Sequence, residues 1–356
     1  MKKKKILIDL SILKNEYCGL GQIALNYGKY FEQYCLKSEQ NFDIFLLVPK
    51  HMVGRFGNNV KYIPIYWWSR YLLCLFPKFD VWHSIHQLSY YRPVDKRTKH
   101  LVTIHDLNFI YEKTALKQRF RLKKLQAEVD RADQIICISK FTKQDVEKFI
   151  KLRNKNIQII HNGVEQTTGN TTSKPNFIKG DKSFFFSIGE IKKKKNFHVL
   201  LPLMKLYQDK HLFIAGRLGT QYAEYLQSII ESEKIDNVHL VGLVTNEERV
   251  WLYSHCEAFL FPSLFEGFGL PVIEAMSFGK PVFSSKETSL KEIGGDCSFF
   301  WNNFEPEHMK EFIDTLLNNF YKSSDLAKKN INHSKLFNYK THMEKYLKEY
   351  ENLLNK

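Results

Sequence analysis

The sequence has no run of about 18 consecutive apolar residues, the length that a membrane-crossing helix needs, so no transmembrane helix is expected. It also has no Cys-x-x-Cys pair. Its six cysteines, Cys18, Cys35, Cys74, Cys137, Cys256 and Cys297, are scattered. That spacing argues against a zinc site and for a reducing compartment, so a cytoplasmic location is expected. No Asp-x-Asp occurs, nor any other cluster with metal-ligand spacing, so no bound metal is expected. Acidic residues are few: 38 Asp and Glu against 53 Lys and Arg leave a net charge of +15. Such a balance favours a polyanionic partner. Nucleic acid is the weaker choice, because the lysines are spread along the chain and no binding module is recognisable. Phosphorylated ligands and an anionic membrane surface remain, with attachment at the inner face of a membrane as one location. Lys2 to Lys5 precede only a short apolar stretch, Ile6 to Leu13, which Asp9 interrupts. It reads as a first strand rather than a signal peptide.

What is present is alternation. A length of 356 residues suggests two domains. In the first half, apolar strands at Ile6–Ile12, Phe42–Val48, Val81–Ile85, Leu101–Ile104, Gln134–Ile138 and Ile157–Ile160 surround a helix at Leu20–Tyr34 and one capped by Ser139. The run Glu165–Lys182 is rich in Thr, Asn, Gly and Lys and reads as a linker. The pattern then restarts: strand Phe184–Ile188, helix Phe197–Tyr207, strand Leu212–Ala215, helix Tyr222–Ser232, strand Val238–Val241, helix Glu247–His255, strand Ala258–Phe261. Met343, Tyr346, Leu347, Tyr350 and Leu354 form one stripe of a last helix. Strands alternating with helices imply an α/β fold with parallel, Rossmann-like sheets. The expected division is 1–165, a linker at 166–182, 183–335, and a closing helix at 336–356.

The densest chemistry lies in Pro262–Ser285, PSLFEGFGLPVIEAMSFGKPVFSS. Gly267 and Gly269 permit a tight turn after the strand, and Pro271 suits the first helical position. A helix start at Phe268, Gly269 and Leu270 offers amides to an anion such as a diphosphate. Glu274 lies one turn into that helix, where it can accept two hydroxyls of a ribose or merely complement the helix dipole. Glu266, before the turn, can reach a second polyol or be plain surface. Lys192, Lys193, Lys194 and Lys195 follow a strand and precede a helix. Lys192 and Lys193 read as solvated surface; Lys195 can neutralise a leaving diphosphate. His105 ends a strand in Thr-Ile-His-Asp-Leu, where a structural histidine and a site residue are both reasonable, with Asp106 placed to orient the ring. Gly19-Leu-Gly21-Gln22 is by itself a weak dinucleotide signal. Tyr66, Trp67, Trp68, Arg70, Tyr71, Leu72 and Leu73 form an aromatic and basic patch, suited either to a membrane or lipid-linked acceptor or to core packing.

The stretch EGFGLPVIEAMSFGKPV resembles, nearly letter for letter, the Glu-x7-Glu element of the family-4 glycosyltransferases of the GT-B fold. The resemblance implies two Rossmann-like domains facing across a deep cleft, with a C-terminal helix crossing back to the first domain. It implies a retaining, metal-independent hexosyltransferase, mannosyltransferase-like, acting in surface polysaccharide biosynthesis on a glycan or lipid-linked acceptor. The donor would be a nucleotide-diphosphate sugar such as GDP-mannose or a UDP-sugar. His105, Lys195 and Glu266 would act at the reacting sugar. Gly21, Lys194, Lys195, Val244, Phe268, Gly269, Leu270 and Glu274 would bind the donor, with the backbone near Val244 reading the base. Glu190 and Gln22 stand where many relatives carry arginine, which alters the phosphate contacts. A phosphorylase of the same plan and a non-catalytic nucleotide-sugar-binding subunit are the alternatives.

Overall fold

The computed structural model describes residues 3–16, 18–37, 40–165, 172–180 and 182–355. Positions 166–171 and 181 of the expected linker lie outside the described residues. The chain divides into one unit of Met1–His161 with Lys340–Lys356 and a second of Asn162–Tyr339.

In the first unit seven strands form one parallel sheet: β1 (Lys4–Asp9), β2 (Phe42–Pro49), β3 (Lys61–Ile65), β4 (Val81–Ser84), β5 (Lys99–Ile104), β6 (Gln134–Cys137) and β7 (Ile157–Ile159). Their order is β3-β2-β1-β4-β5-β6-β7. The order reverses between β1 and β4, and ligands of such sheets bind at the carboxyl ends of strands beside that reversal. β1 stops at Asp9, short of the expected Ile12, because Ser11–Asn15 turn into a 3-10 helix. The Asp9 carboxylate starts that turn by accepting the Ser11 amide. Helix Ala115–Arg131 follows β5, and helix Lys140–Phe149 starts on the Ser139 cap, whose hydroxyl accepts the Thr142 amide.

The last helix, Tyr339–Leu354, buries Met343, Tyr346, Tyr350 and Leu353, while Leu354 is only partly covered. Its residues pack on the first sheet through a buried polar chain. His83 bonds Tyr350 Oη (2.8 Å) and Thr103 Oγ1 (2.9 Å), and Thr103 bonds Tyr346 Oη (3.0 Å). His342 donates Nδ1–H to the His161 carbonyl, leaving Nε2 for Tyr27 Oη at 3.2 Å.

In the second unit β8 (Phe184–Ile188), β9 (His211–Ala215), β10 (Val238–Gly242), β11 (Ala258–Phe261), β12 (Val282–Ser284) and β13 (Ser298–Phe300) form a parallel sheet of order β10-β9-β8-β11-β12-β13. The reversal now lies between β8 and β11. The expected helix Phe197–Tyr207 is shorter: a 3-10 turn at Phe197–Val199 leads into Leu200–Lys205. The core of this unit is aromatic and aliphatic, with Phe185, Phe197, Leu260, Phe283 and Trp301 buried. Hairpin-free parallel strands buried on both faces explain the unbroken apolar runs.

Candidate functional site

The second unit brings Lys195 to Glu266 at the carboxyl ends of β8 and β11, the reversal point of its sheet, and the helix that follows β11 starts at Gly269 and carries Glu274. After β8 the chain makes a 3-10 turn, Lys193–Lys195, and Asn196 takes a left-handed conformation (φ 58°) that asparagine tolerates well. That turn sends Lys195 inward, with 8% of its surface exposed. Its Nζ meets Glu266 Oε1 at 2.5 Å and stands 4.9 Å from the centre of the Phe261 ring. Ser263 Oγ donates to the same Oε1 at 2.6 Å. Oε2 of Glu266 has no protein partner among the described residues. The lysine ammonium carries three donors, so pairing with Glu266 leaves donors for an anion.

The backbone of Lys194 joins two loops. Its carbonyl accepts the Leu264 amide at 2.8 Å, tying the loop after β8 to the loop after β11. Lys192 and Lys193 are exposed, and Lys192 pairs with Glu190 at 2.6 Å. Glu190, in the place of an arginine, thus consumes a cation instead of supplying one.

Gly269 caps helix Leu270–Ser277 with φ 106°, a conformation that calls for glycine, and a Cβ there would also push away Leu290 Cδ2, only 2.6 Å from it. The amides of Gly269 and Leu270 have no acceptor among the described residues. Ser289 Oγ shares its one proton between the carbonyls of Glu266 (2.9 Å) and Phe268 (3.0 Å), and the Glu266 amide donates to Thr288 Oγ1. These bonds hold the turn in shape. Phe268 itself is buried against Phe337.

Glu274 accepts Tyr253 Oη on Oε2 at 2.9 Å and faces Arg249 with Oε1 at 3.5 Å. Burial, and then the neighbouring carboxylate, push the Tyr253 hydroxyl well above its ordinary range, so it stays a donor. Arg249 and Tyr253 lie one turn apart on helix Asn246–His255, whose Thr245–Glu248 capping box starts just after Val244. Sequence reasoning missed Arg249, Tyr253 and Ser263. The i,i+4 spacing of Arg249 and Tyr253 beside an acidic motif was the available signal.

His105 and Gly21 belong to the first unit. Gly21 sits in the first turn of helix Gly19–Leu36, where a Cβ would come 2.2 Å from the Asn15 carbonyl oxygen. Gln22 donates to the Glu16 carbonyl at 2.8 Å. His105, buried beyond the end of β5, donates Nε2–H to the Ile85 carbonyl at 2.7 Å. Burial lowers its pKa to about 4, opposed by that hydrogen bond, so the ring is neutral at pH 7. The Ile85 carbonyl therefore fixes the ring, in place of the orienting role expected of Asp106, whose Oδ1 accepts the Asn108 amide. In the aromatic patch Tyr66, Trp67 (83% exposed), Tyr71 and Leu72 face solvent, which removes the core-packing reading for them, while Trp68 and Leu73 are half-buried.

Residues 33–167 match the family model for Glycosyltransferase Family 4, and 170–333 that for Glycosyl transferases group 1. The chain is 27% identical over 223 residues to the O-antigen chain mannosyltransferase RfbU of Salmonella typhimurium, a match covering 61% of this chain and 60% of that protein. It is 27% identical over 214 residues to the serotype-specific mannosyltransferase WbdA of Escherichia coli, covering 56% of this chain and 26% of that one. Among solved structures, sucrose-phosphate synthase from Thermosynechococcus elongatus aligns with TM-score 0.76 at 16% identity over 99% of this chain and 100% of the other. Anabaena Alr3699/HepE, solved with UDP-glucose, aligns with TM-score 0.73 at 14% identity over 98% and 100%. With one family model matching 33–167, the other 170–333, and the GT-B fold shared with solved structures over nearly its whole length, this chain is a GT-B glycosyltransferase similar to those of family 4.

Proposed function

We propose that this protein transfers a hexosyl-type sugar, with retention of anomeric configuration, from a nucleotide-diphosphate sugar to a hydroxyl of a glycan or lipid-linked acceptor in surface polysaccharide assembly. The observation that carries the reading is the Lys195–Glu266 pair at the reversal point of one parallel sheet, followed by the Gly269-headed helix that carries Glu274. The mannosyltransferase names of the sequence relatives support the polysaccharide setting and make GDP-mannose the first donor to try.

Each group has a task that its surroundings suit. Glu274 takes the ribose diol, since its oxygens keep lone pairs beyond those used by Tyr253 and Arg249. The amides of Gly269 and Leu270 with the Lys195 ammonium take the diphosphate, without a metal. Departure of the diphosphate builds negative charge there, and a fixed ammonium stabilises that charge more than it does the ground state. Glu266 accepts donor-sugar hydroxyls through Oε2, while Lys195 and Ser263 anchor Oε1. His105 positions the donor sugar. The acceptor hydroxyl attacks from the side on which the leaving group departs, through an oxocarbenium-like transition state, and its proton passes to the departing phosphate. The exposed Trp67, Tyr71 and Leu72, with Arg70 against Tyr71, suit an anionic bilayer at which a lipid-linked acceptor would be met.

The test has two stages. A thermal-shift panel of nucleotide sugars finds the donor, because a ligand bound only to the folded state raises the melting temperature. NMR of the glycoside product then reads its anomeric configuration. An inverted product would exclude the front-side route, and no shift with any nucleotide sugar would exclude the donor class.

A further inference from the structure

Beyond Ile104 the chain leaves the first sheet, and β4 has already ended at Ser84. The peptide groups around His105 therefore have no ladder partner on that side. Gln87, 4% exposed, fills the gap with its side chain. Its Oε1 accepts the His105 amide at 3.2 Å, and its Nε2 donates to the Asp106 carbonyl at 2.8 Å. A backbone N–H can only donate and a carbonyl only accept, so these partners fix the amide's orientation. On the other side Thr142 Oγ1 donates to the His105 carbonyl at 3.1 Å, and Ser139 Oγ donates to Thr142 Oγ1 at 2.9 Å. Gln87, Thr142 and Ser139 are all buried. With Nε2–H committed to the Ile85 carbonyl, the imidazole is left with Nδ1, which has no protein partner among the described residues and is not sealed from solvent.

We propose that Gln87 is a positioning residue: by clamping the His105–Asp106 peptide beside Ile85 it holds the imidazole in one tautomer, so that Nδ1 is presented as a hydrogen-bond acceptor for a substrate hydroxyl. The proposal deepens the reading of His105 as a donor-sugar contact and rests on it. It makes His105 neither a general acid nor a cationic clamp for phosphate, and requires a substrate that brings an O–H to this point. The titratable groups facing His105 are His83, His86 and His342, with Lys124 and Arg121 beyond His86. Burial lowers the three histidines' pKa values, so the ring sits among neutral neighbours.

The test uses the full chain with 15N-labelled histidine and long-range 1H–15N correlation, the His105 signals being assigned by their loss in His105→Ala. At pH 7 wild-type His105 is expected protonated at Nε2 only, staying neutral until about pH 4. Protonation at Nδ1, or a cationic ring at pH 7, overturns the proposal without any variant. Gln87→Glu keeps an acceptor for the His105 amide but adds a carboxylate. It is expected to raise the His105 midpoint by about 1 unit or more and to move the acidic limb of kcat/KM upward with it, read on GDP-mannose or UDP-glucose. Gln87→Met, which loses both hydrogen bonds, is expected to give a mixture of tautomers and about a tenfold lower kcat, with donor KM changed less. If Gln87→Met and Gln87→Glu lower only the melting temperature, leaving tautomer and acidic limb in place, Gln87 is merely structural. Wild-type turnover in His105→Ala would instead refute the assigned role of His105 while the tautomer spectra still judge the clamp.

Discussion

Removing the Lys195 ammonium separates the structural from the chemical role of the central ion pair. Lys195 and Glu266 meet at 2.5 Å with side chains only 10% and 14% exposed. Truncating one partner of a buried pair costs about 3–5 kcal/mol, because the other charge stays behind unpaired. Here Ser263 still donates to Glu266 and some solvent reaches it, so about 2 kcal/mol is the expected loss for Lys195→Met. For a unit of this size that lowers the melting temperature by about 4–8 °C. The kinetic effect should be larger and of a different kind. A fixed donor aimed at developing charge contributes about 2.7–4 kcal/mol, so kcat should fall by about 10²- to 10³-fold. Donor KM should change less, since the helix amides and Glu274 still grip the ground state. The double variant Lys195→Met/Glu266→Gln removes both charges; it should recover most of the melting temperature and none of the kcat. The assay is release of nucleoside diphosphate at saturating donor, alongside calorimetry on the same preparations. A single variant within about threefold of wild-type kcat, or a double variant that regains activity, would refute the assignment of Lys195 to the leaving group.

Glu274→Ala should raise donor KM by about tenfold or more, the worth of hydrogen bonds to a charged group, and Tyr253→Phe should raise it by less; unchanged donor kinetics in both would remove Glu274 from the donor site. Turnover should persist in excess EDTA, and a complete loss restored by a divalent ion would reject metal-free transfer. Burial lowers the pKa values of His105 and His342 to about 4 and of His86 and His100 to about 3. Their unfolded forms titrate near 6.5, so the stability they contribute is full above that pH and falls as pH drops, by about 1.4 kcal/mol per unit for each histidine. Urea unfolding between pH 7.5 and 5 measures this, and stability independent of pH across that window would contradict it. Gly269→Ala forces a side chain to φ 106° against Leu290 and should cost about 1–3 kcal/mol together with donor affinity, read by calorimetry and thermal shift.

Much of the fold was legible because its signals are local. The apolar runs at Phe184–Ile188 and Ala258–Phe261 coincide with β8 and β11, and the Ser139 cap lies where its hydroxyl implies. β3, β12 and β13 went unread: they are short, and β3 carries Pro64 and lies at the sheet edge, where a period of two is weak. The closing helix was read correctly as a stripe, but packing chose Leu353 over Leu354. Gly21 was expected only as a donor contact, and the fold gives it a packing reason as well. Its neighbour is the Asn15 carbonyl, which only the 3-10 turn brings close.

The sequence alone determined the turn chemistry from Glu266 to Glu274, the need for glycine at 269, and the alternation that makes two parallel sheets. All of these act within a few residues of chain. Tertiary structure decided which charges meet. Lys195 and Glu266 are 71 positions apart and become neighbours because β8 lies beside β11. His105 takes its tautomer from the carbonyl of Ile85 and its posture from Gln87, on a connection from another strand. Strand order is set by how whole helices and sheets bury their apolar faces, and no local pattern encodes it. Lys195 and Glu266 could therefore be named in advance, while their pairing, and the partners Ser263, Arg249 and Tyr253, followed from the order in which the strands lie.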